Sequence, residues 1–217
     1  MKKQYAVIGL GRFGSGIVNT LLDHGNEVLV IDNNEERINE IADRATHAVI
    51  ADSTNEESLK AIGIGNFDTV IVAIGNDMQA SILTTLVLND LNINKIVVKA
   101  LNKQHGEVLK RVGADWVIYP EKNMGERVAH QLMSPNVLNF IELAKNYSIE
   151  EIKLPSQMVG KSLKELNIRV EFNLTVIAIK TQGVVNISPS PDEIIHDGDV
   201  LVMIGENRDL HRFANLD

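Results

Sequence analysis

The 217-residue chain has no cysteine, which excludes disulfide bridges and thiolate chemistry and agrees with a reducing compartment. It has no apolar run near the roughly 20 residues that cross a bilayer. Its opening Met1-Lys2-Lys3-Gln4 passes into a strand without a signal-peptide core, so a cytoplasmic protein is expected. Positive charge is short: 21 Lys and Arg against 29 Asp and Glu leave a net charge of −8, which argues against nucleic-acid binding through a broad basic face. The six histidines are scattered without a pair at metal-ligand spacing, and no metal chemistry is assigned to them. What is present is 44% apolar and 23% charged residues, enough for one large domain or one of about 140 residues with a small companion.

The stretch from Tyr5 to Asp32 is the most informative. An apolar strand runs into Gly9-Leu10-Gly11-Arg12-Phe13-Gly14, an apolar-faced helix follows, and a second strand, Glu27 to Ile31, ends on Asp32. This is the order of a dinucleotide-type βαβ unit. Gly9 permits the tight exit, Gly11 lets bare backbone approach a phosphate, and Gly14 lets the helix pack on the sheet. The helix N-terminus offers unpaired N–H groups to an anion, and Asp32 stands where a carboxylate accepts hydrogen bonds from ribose hydroxyls. The alternative is a bare structural turn.

The pattern continues with a surface helix (Asn34 to Asp43), a short strand (His47 to Ala51) and a helix from Asn55 to Ile62, with Asp52-Ser53-Thr54 available to cap it. The continuous apolar strand Asp68 to Ile74 leads through Gly75-Asn76-Asp77 into a long helix. A strand (Lys95 to Ala100), a helix (Lys103 to Val112) and a last strand ending at Tyr119-Pro120 complete the unit. Six strands alternating with helices predict a Rossmann-like, doubly wound α/β sheet in the order 3-2-1-4-5-6, with its ligand crevice at the carboxyl ends of strands one and four.

Glu121 to Gln131 and Asn136 to Asn146 read as two helices broken at Ser134-Pro135, an arm for dimer exchange or for internal packing. Beyond it strands dominate, which predicts a small α+β domain. The expected division is a nucleotide-binding domain at 1–134, a linker and dimerisation helix at 135–147, and a C-terminal domain at 148–217.

The opening Ala6 to Gly14, Ala51-Asp52-Ser53-Thr54, the Tyr119-Pro120-Glu121 junction and the tail Gly198-Asp199-Val200-Leu201-Val202-Met203-Ile204-Gly205 resemble the RCK family, the regulators of potassium conductance. More narrowly, the sequence is similar over essentially its whole length to cytosolic regulatory subunits of bacterial Ktr/Trk-type potassium transporters. The resemblance implies an N-terminal domain binding ATP, ADP or NAD(H). It also implies homodimers assembled into an octameric ring beneath a membrane-embedded potassium-translocating subunit, peripheral to the inner face of the membrane. Implied contacts are Gly9, Gly11 and Gly14 at the phosphates, Arg12 at a terminal phosphate, Asp32 at the ribose, and Asp52 with Ser53 or Thr54 on the adenine side, with Phe13 and Asn33 also in the cofactor-binding set. Ala73, Ile74, Gly75, Lys99 and Glu121 complete the set. Glu121 matches a position associated with Mg2+ or another divalent cation, although a first-turn acid offsetting the helix dipole is the plainer role. Leu163, Ile168, Arg169, Asn173, Thr175 and Pro191 fall where the C-terminal domain of such subunits receives cyclic di-AMP. Nicotinamide-preferring relatives often carry Glu in place of Asp32, which leaves ATP against NADH open.

The leading functional expectation is a non-enzymatic sensor. The rival is an NAD(P)-dependent oxidoreductase using the same pocket, which needs an acid or base beside the nicotinamide and a substrate domain. A nucleotide-binding scaffold without a membrane partner is a third.

Overall fold

Six short strands, β1 (Gln4–Ile8), β2 (Glu27–Asp32), β3 (His47–Ile50), β4 (Thr69–Val72), β5 (Ile96–Lys99) and β6 (Trp116–Ile118), form a parallel sheet in the order β3-β2-β1-β4-β5-β6. This is the doubly wound order expected from the sequence. The structure, a computed structural model, describes residues 3–133 and 136–216, so the expected break at Ser134-Pro135 lies outside the described residues.

Helices α1 (Arg12–Asp23) and α2 (Glu35–Ile41) cover one face, where Val7, Val28, Val30 and Ile71 pack with Val18, Ile38 and Ile41. Helices α3 (Glu56–Ile62), α4 (Met78–Asp90) and α5 (Lys103–Arg111) cover the other, where Ala6, Ile8, Leu29 and Ile31 pack with Leu59, Leu88 and Leu109. Consecutive strand residues are thus buried on opposite faces, which is why these strands read as unbroken apolar runs. Each such side chain stabilises the fold by about 1.5–3 kcal/mol before chain entropy is counted.

The chain divides into two compact units, Met1–Met124 and Gly125–Asp217, and α6 (Pro120–Met133) begins in the first and ends in the second. The second unit holds an antiparallel sheet of β7 (Val137–Ala144), β8 (Tyr147–Lys153), β9 (Thr175–Thr181), β10 (Val184–Ile187) and β11 (Val200–Glu206), ordered β10-β9-β11-β8-β7. With α7 (Leu163–Leu166), α8 (Ile168–Phe172) and α9 (Asn207–Ala214) it encloses a core around Ile152, Ile168, Leu201, Met203, Leu210 and Phe213. β10 is an edge strand, and its Val184, Val185 and Ile187 are exposed.

Two expectations need correction. Asn136 to Asn146 is not a helix: Val137–Ala144 is strand β7, paired antiparallel with β8 across the Lys145-Asn146 turn. Register shifts at Val137/Asn139 and Glu142/Ala144 interrupt its period of two, so its apolar residues mimic helical spacing. Nor does Asp52 cap α3. That cap is Asn55, whose side chain accepts the Ser58 N–H, while Asp52 folds back onto Thr54.

Candidate functional site

Helices α1 to α5 each rise from the carboxyl edge of the sheet. Four of them are capped by side chains: Asn34, Asn55, Asp77 and Asn102 accept the N–H groups of Arg37, Ser58, Ala80 and His105. Helix α1 is the exception. Its cap is Gly11, which supplies no side-chain acceptor. The first N–H groups of α1 are therefore left for an outside acceptor, and the positive end of the helix dipole favours an anion there.

The glycine turn is built for close approach. Gly9 has φ +94°, and a Cβ on it would press on the Ala73–Ile74 peptide at 3.1 Å. A Cβ on Gly14 would run into the Gly9 carbonyl oxygen, so the turn and α1 pack only without one. Around Gly11, by contrast, nothing lies within 4 Å of a Cβ position. Two glycines serve packing, and the third faces open space.

Asp32 closes the turn from the side. It is 5% exposed; its Oδ2 accepts the Leu10 N–H at 2.6 Å and its Oδ1 accepts the Asn34 N–H at 2.9 Å. Arg37 Nη1 lies 3.5 Å from Oδ2. A carboxylate has about four acceptor positions, so three contacts leave capacity for a ribose hydroxyl, and the exposed Arg37 can give way for a second. Asn33 is exposed beside it.

On the other flank, exposed Asp52 accepts both the Thr54 N–H and its hydroxyl, bonds that hold its carboxyl below the usual range. Ser53 is buried and shares a 2.8 Å hydroxyl contact with Thr84 of α4, which anchors that turn. Ala73, Ile74 and Gly75 lead out of β4 between these flanks.

At the end of β5, Lys99 Nζ donates to Glu121 Oε1 at 2.6 Å. It lies 5.8 Å from the centre of the Phe13 ring, close to Gly75. The Lys99 hydrogen bond is the largest cause of a lowered Glu121 pKa, and the Arg12 charge adds to it. The glycine turn, Arg12, Phe13, Gly75, Lys99 and Glu121 therefore belong to one locality. Among the described residues, no group of three His, Asp or Glu side chains is placed to hold a metal ion.

One residue in this region escaped the sequence reading. His105, in the first turn of α5, is 2% exposed; its Nδ1 accepts the Leu101 N–H at 3.3 Å, and its Nε2 has no partner. Burial lowers its pKa, so the neutral ring carries its proton on Nε2 as an unmatched buried donor. The only signal in the sequence was its position three residues after the capping Asn102.

The second candidate set lies within the second unit. Ile168 is in the core, whereas Arg169, Asn173, Thr175 and Pro191 are exposed and Leu163 is half-buried. The Pro191 carbonyl accepts the Lys164 N–H at 2.8 Å, which brings Pro191 to α7. Asn173, at φ 57°, ends α8, and its side chain reaches Asp209.

Comparison with known proteins places these features. The TrkA-N domain family matches residues 5–120, and the TrkA-C domain family matches residues 149–216. The chain is 49% identical over 213 residues to "Ktr system potassium uptake protein A" and 47% identical over 213 residues to "Ktr system potassium uptake protein C", both of Bacillus subtilis (strain 168); each match covers 98% of this chain and 96% of the relative. A solved structure described as "GsuK channel bound to NAD" superposes with a TM-score of 0.55 at 25% identity, covering 98% of this chain and 38% of that one. With both domain families matched along the chain, the N-terminal one over the glycine-turn unit and the C-terminal one over most of the antiparallel unit, the chain belongs to the RCK family, among the Ktr-type potassium uptake proteins.

Proposed function

We propose that this protein is the regulatory subunit of a Ktr-type potassium uptake system, binding ATP or ADP in the N-terminal crevice and converting the identity of the nucleotide into a change in ion flow. The observation that carries the reading is the uncapped N-terminus of α1, opposite the buried carboxylate of Asp32. One end suits a phosphate and the other a ribose, at the separation that a strand–turn–helix unit sets. NAD(H) shares the adenosine diphosphate portion and is the second candidate, supported by the NAD named for the GsuK channel. The relatives are named for potassium uptake, and the chain is read as a sensor without catalytic activity.

The mechanism is a shift of population. A ligand moves a two-state equilibrium only by its difference in affinity for the two states. Moving it from 1:99 to 99:1 takes about 5.5 kcal/mol. Arg12, exposed on the first residue of α1, supplies a charge-assisted contact to a terminal phosphate worth about 1.5–3 kcal/mol. Repetition in a homodimer, and around an octameric ring of dimers, supplies the rest. The effector of that ring is a membrane-embedded potassium-translocating subunit, a reading supported by the potassium-uptake names of the relatives. In this reading the protein works at the inner face of the membrane, through that partner. Exposed Arg169, Thr175 and Pro191 make the second unit the candidate receptor for cyclic di-AMP.

Calorimetric titration of the full chain with ATP, ADP, NADH and cyclic di-AMP tests the reading. Binding of ATP and ADP at distinct affinities is expected. Absence of heat with all adenine nucleotides overturns it.

A further inference from the structure

Glu150 is an acid placed on the core side of a sheet. On β8, Ile152 turns into the core of the second unit and Ser148 is buried. Glu150 lies between them in the same alternation, opposite Phe140 of β7 and Met203 of β11. Two helices bring partners to it. From α6, the His130 ring packs on Phe140 with 4.9 Å between ring centres, and from α9, Asn207 reaches Ser148. The charges of His130 and His211 are both felt at the Glu150 carboxyl. The other charged groups of these elements are engaged elsewhere or lead away: Arg127 of α6 donates to Asn139, Arg208 of α9 pairs with Glu206 and Asp209, and Glu142, opposite Ser148 on β7, is exposed. From β11 the facing residues, Met203 and Gly205, carry no charge.

The hydrogen bonds around Glu150 are one proton short when the acid is ionised. Ser148 Oγ lies 3.1 Å from Glu150 Oε1 and 3.0 Å from Asn207 Oδ1, while Asn207 Nδ2 is directed at the Lys145 carbonyl. A hydroxyl has one proton to give, so an ionised Glu150 and Asn207 compete for it. Protonated, Glu150 donates to Ser148 Oγ, Ser148 donates to Asn207 Oδ1, and every link is satisfied. Ionised, Glu150 takes the Ser148 proton, and Asn207 must turn its amide over and give up Lys145. Asn207 is the first residue of α9, and Lys145 lies in the turn between β7 and β8, so the proton decides how firmly that helix is tied to the hairpin. Burial pushes the Glu150 carboxyl above its ordinary value, while the Ser148 hydroxyl and the two imidazoles, when charged, pull it back. We infer that Glu150, with His130 and His211, is a proton-binding site in the second unit, a pH sensor that fastens α9 to the β7–β8 turn while it holds a proton and slackens that tie when the proton leaves. Because the three groups act on one another, they titrate as a set.

A folded-state pKa above the ordinary 4.5 makes this contribution to stability fully present below about pH 4.5 and lost as the pH rises through the raised value. Glutamine copies the protonated form, because its NH2 group donates where the carboxyl O–H did. The experiment is thermal unfolding of the full-length protein and its Glu150→Gln variant between pH 5 and 8. It needs no nucleotide and so stands apart from the crevice. The variant is expected to melt within about 1 °C of the parent at pH 5 and about 2–6 °C above it at pH 8. Deuterium exchange at pH 8 is expected to be slower in the variant across α9 and the β7–β8 turn. Replacing both histidines, His130→Gln with His211→Gln, is expected to move the parent's loss of stability to higher pH, because two charges that favour the ionised acid are gone. A difference between the parent and Glu150→Gln that is the same at pH 5 and pH 8 refutes the proton site. A loss of stability that stays in place in the double variant refutes the part given to the histidines.

Discussion

Replacing Asp32 by Asn changes one atom for another of similar size and removes one charge, which makes it the sharpest probe of the crevice. In the protein as folded, the two carboxylate oxygens accept the Leu10 and Asn34 N–H groups, at 2.6 and 2.9 Å, in a position that is 5% exposed. An asparagine keeps one acceptor and turns an NH2 group toward the other backbone donor. Hydrogen bonds to a charged group contribute about 1.5–3 kcal/mol each, so losing one and weakening the second costs about 2–4 kcal/mol. For a chain of this size, 1 kcal/mol moves the melting temperature by about 2–4 °C, which gives a loss of roughly 4–16 °C. The measurement is thermal unfolding followed by circular dichroism, with and without saturating ATP or ADP. Asp32→Asn should melt earlier without nucleotide and should also lose the stabilisation that nucleotide confers. A variant that melts within a degree of the parent would refute the structural tie. A variant that melts early yet keeps its full nucleotide-induced shift would refute the ribose role.

Other perturbations act on single elements of the same crevice. Arg12→Ala should leave ADP affinity nearly unchanged and weaken ATP about tenfold, read by titration calorimetry. Gly14→Ala sets a methyl group against the Gly9 carbonyl oxygen, so nucleotide binding should be lost together with several degrees of thermal stability. His105 has a folded-state pKa below its ordinary value of about 6.5, so the unfolded chain binds its proton more readily. Its contribution is fully present above about pH 6.5 and is lost as the pH falls below that value toward the lowered folded-state pKa. Urea unfolding of the parent between pH 7.5 and 5.5 should show this decline, and His105→Gln should flatten it.

The first unit was legible because its signals are local and redundant. Strands buried on both faces leave continuous apolar runs, and a glycine turn followed by an acid some 20 residues later fixes both the connection and the sheet edge at which the candidate crevice lies. The contacts that give the crevice its character were less visible. Nothing in the spacing of Lys99 and Glu121 indicates that they meet, because β6 and α5 lie between them in the chain. Asp52 looked like a helix cap until Asn55 proved to be the residue facing the first free N–H groups, and two adjacent side chains of capping type cannot be ranked without the backbone angles. Strand β7 was misread for a related reason. Two bulges within eight residues shift the side-chain alternation, so Val137, Leu138, Phe140 and Ile141 fit a helical face as well as a pleated one. His105 carries no motif, and what distinguishes it is a buried ring nitrogen left without a partner by folding.

The bare outer margin of the second sheet has a practical cost. β10 presents Val184, Val185 and Ile187 along an unpaired ladder, without the lysine, proline or bulge that usually blunts such a margin. A recombinant fragment limited to the C-terminal unit should therefore gel or self-associate as it is concentrated. Charged replacements at Val184 and Ile187 are the first remedy to try when preparing it for spectroscopy.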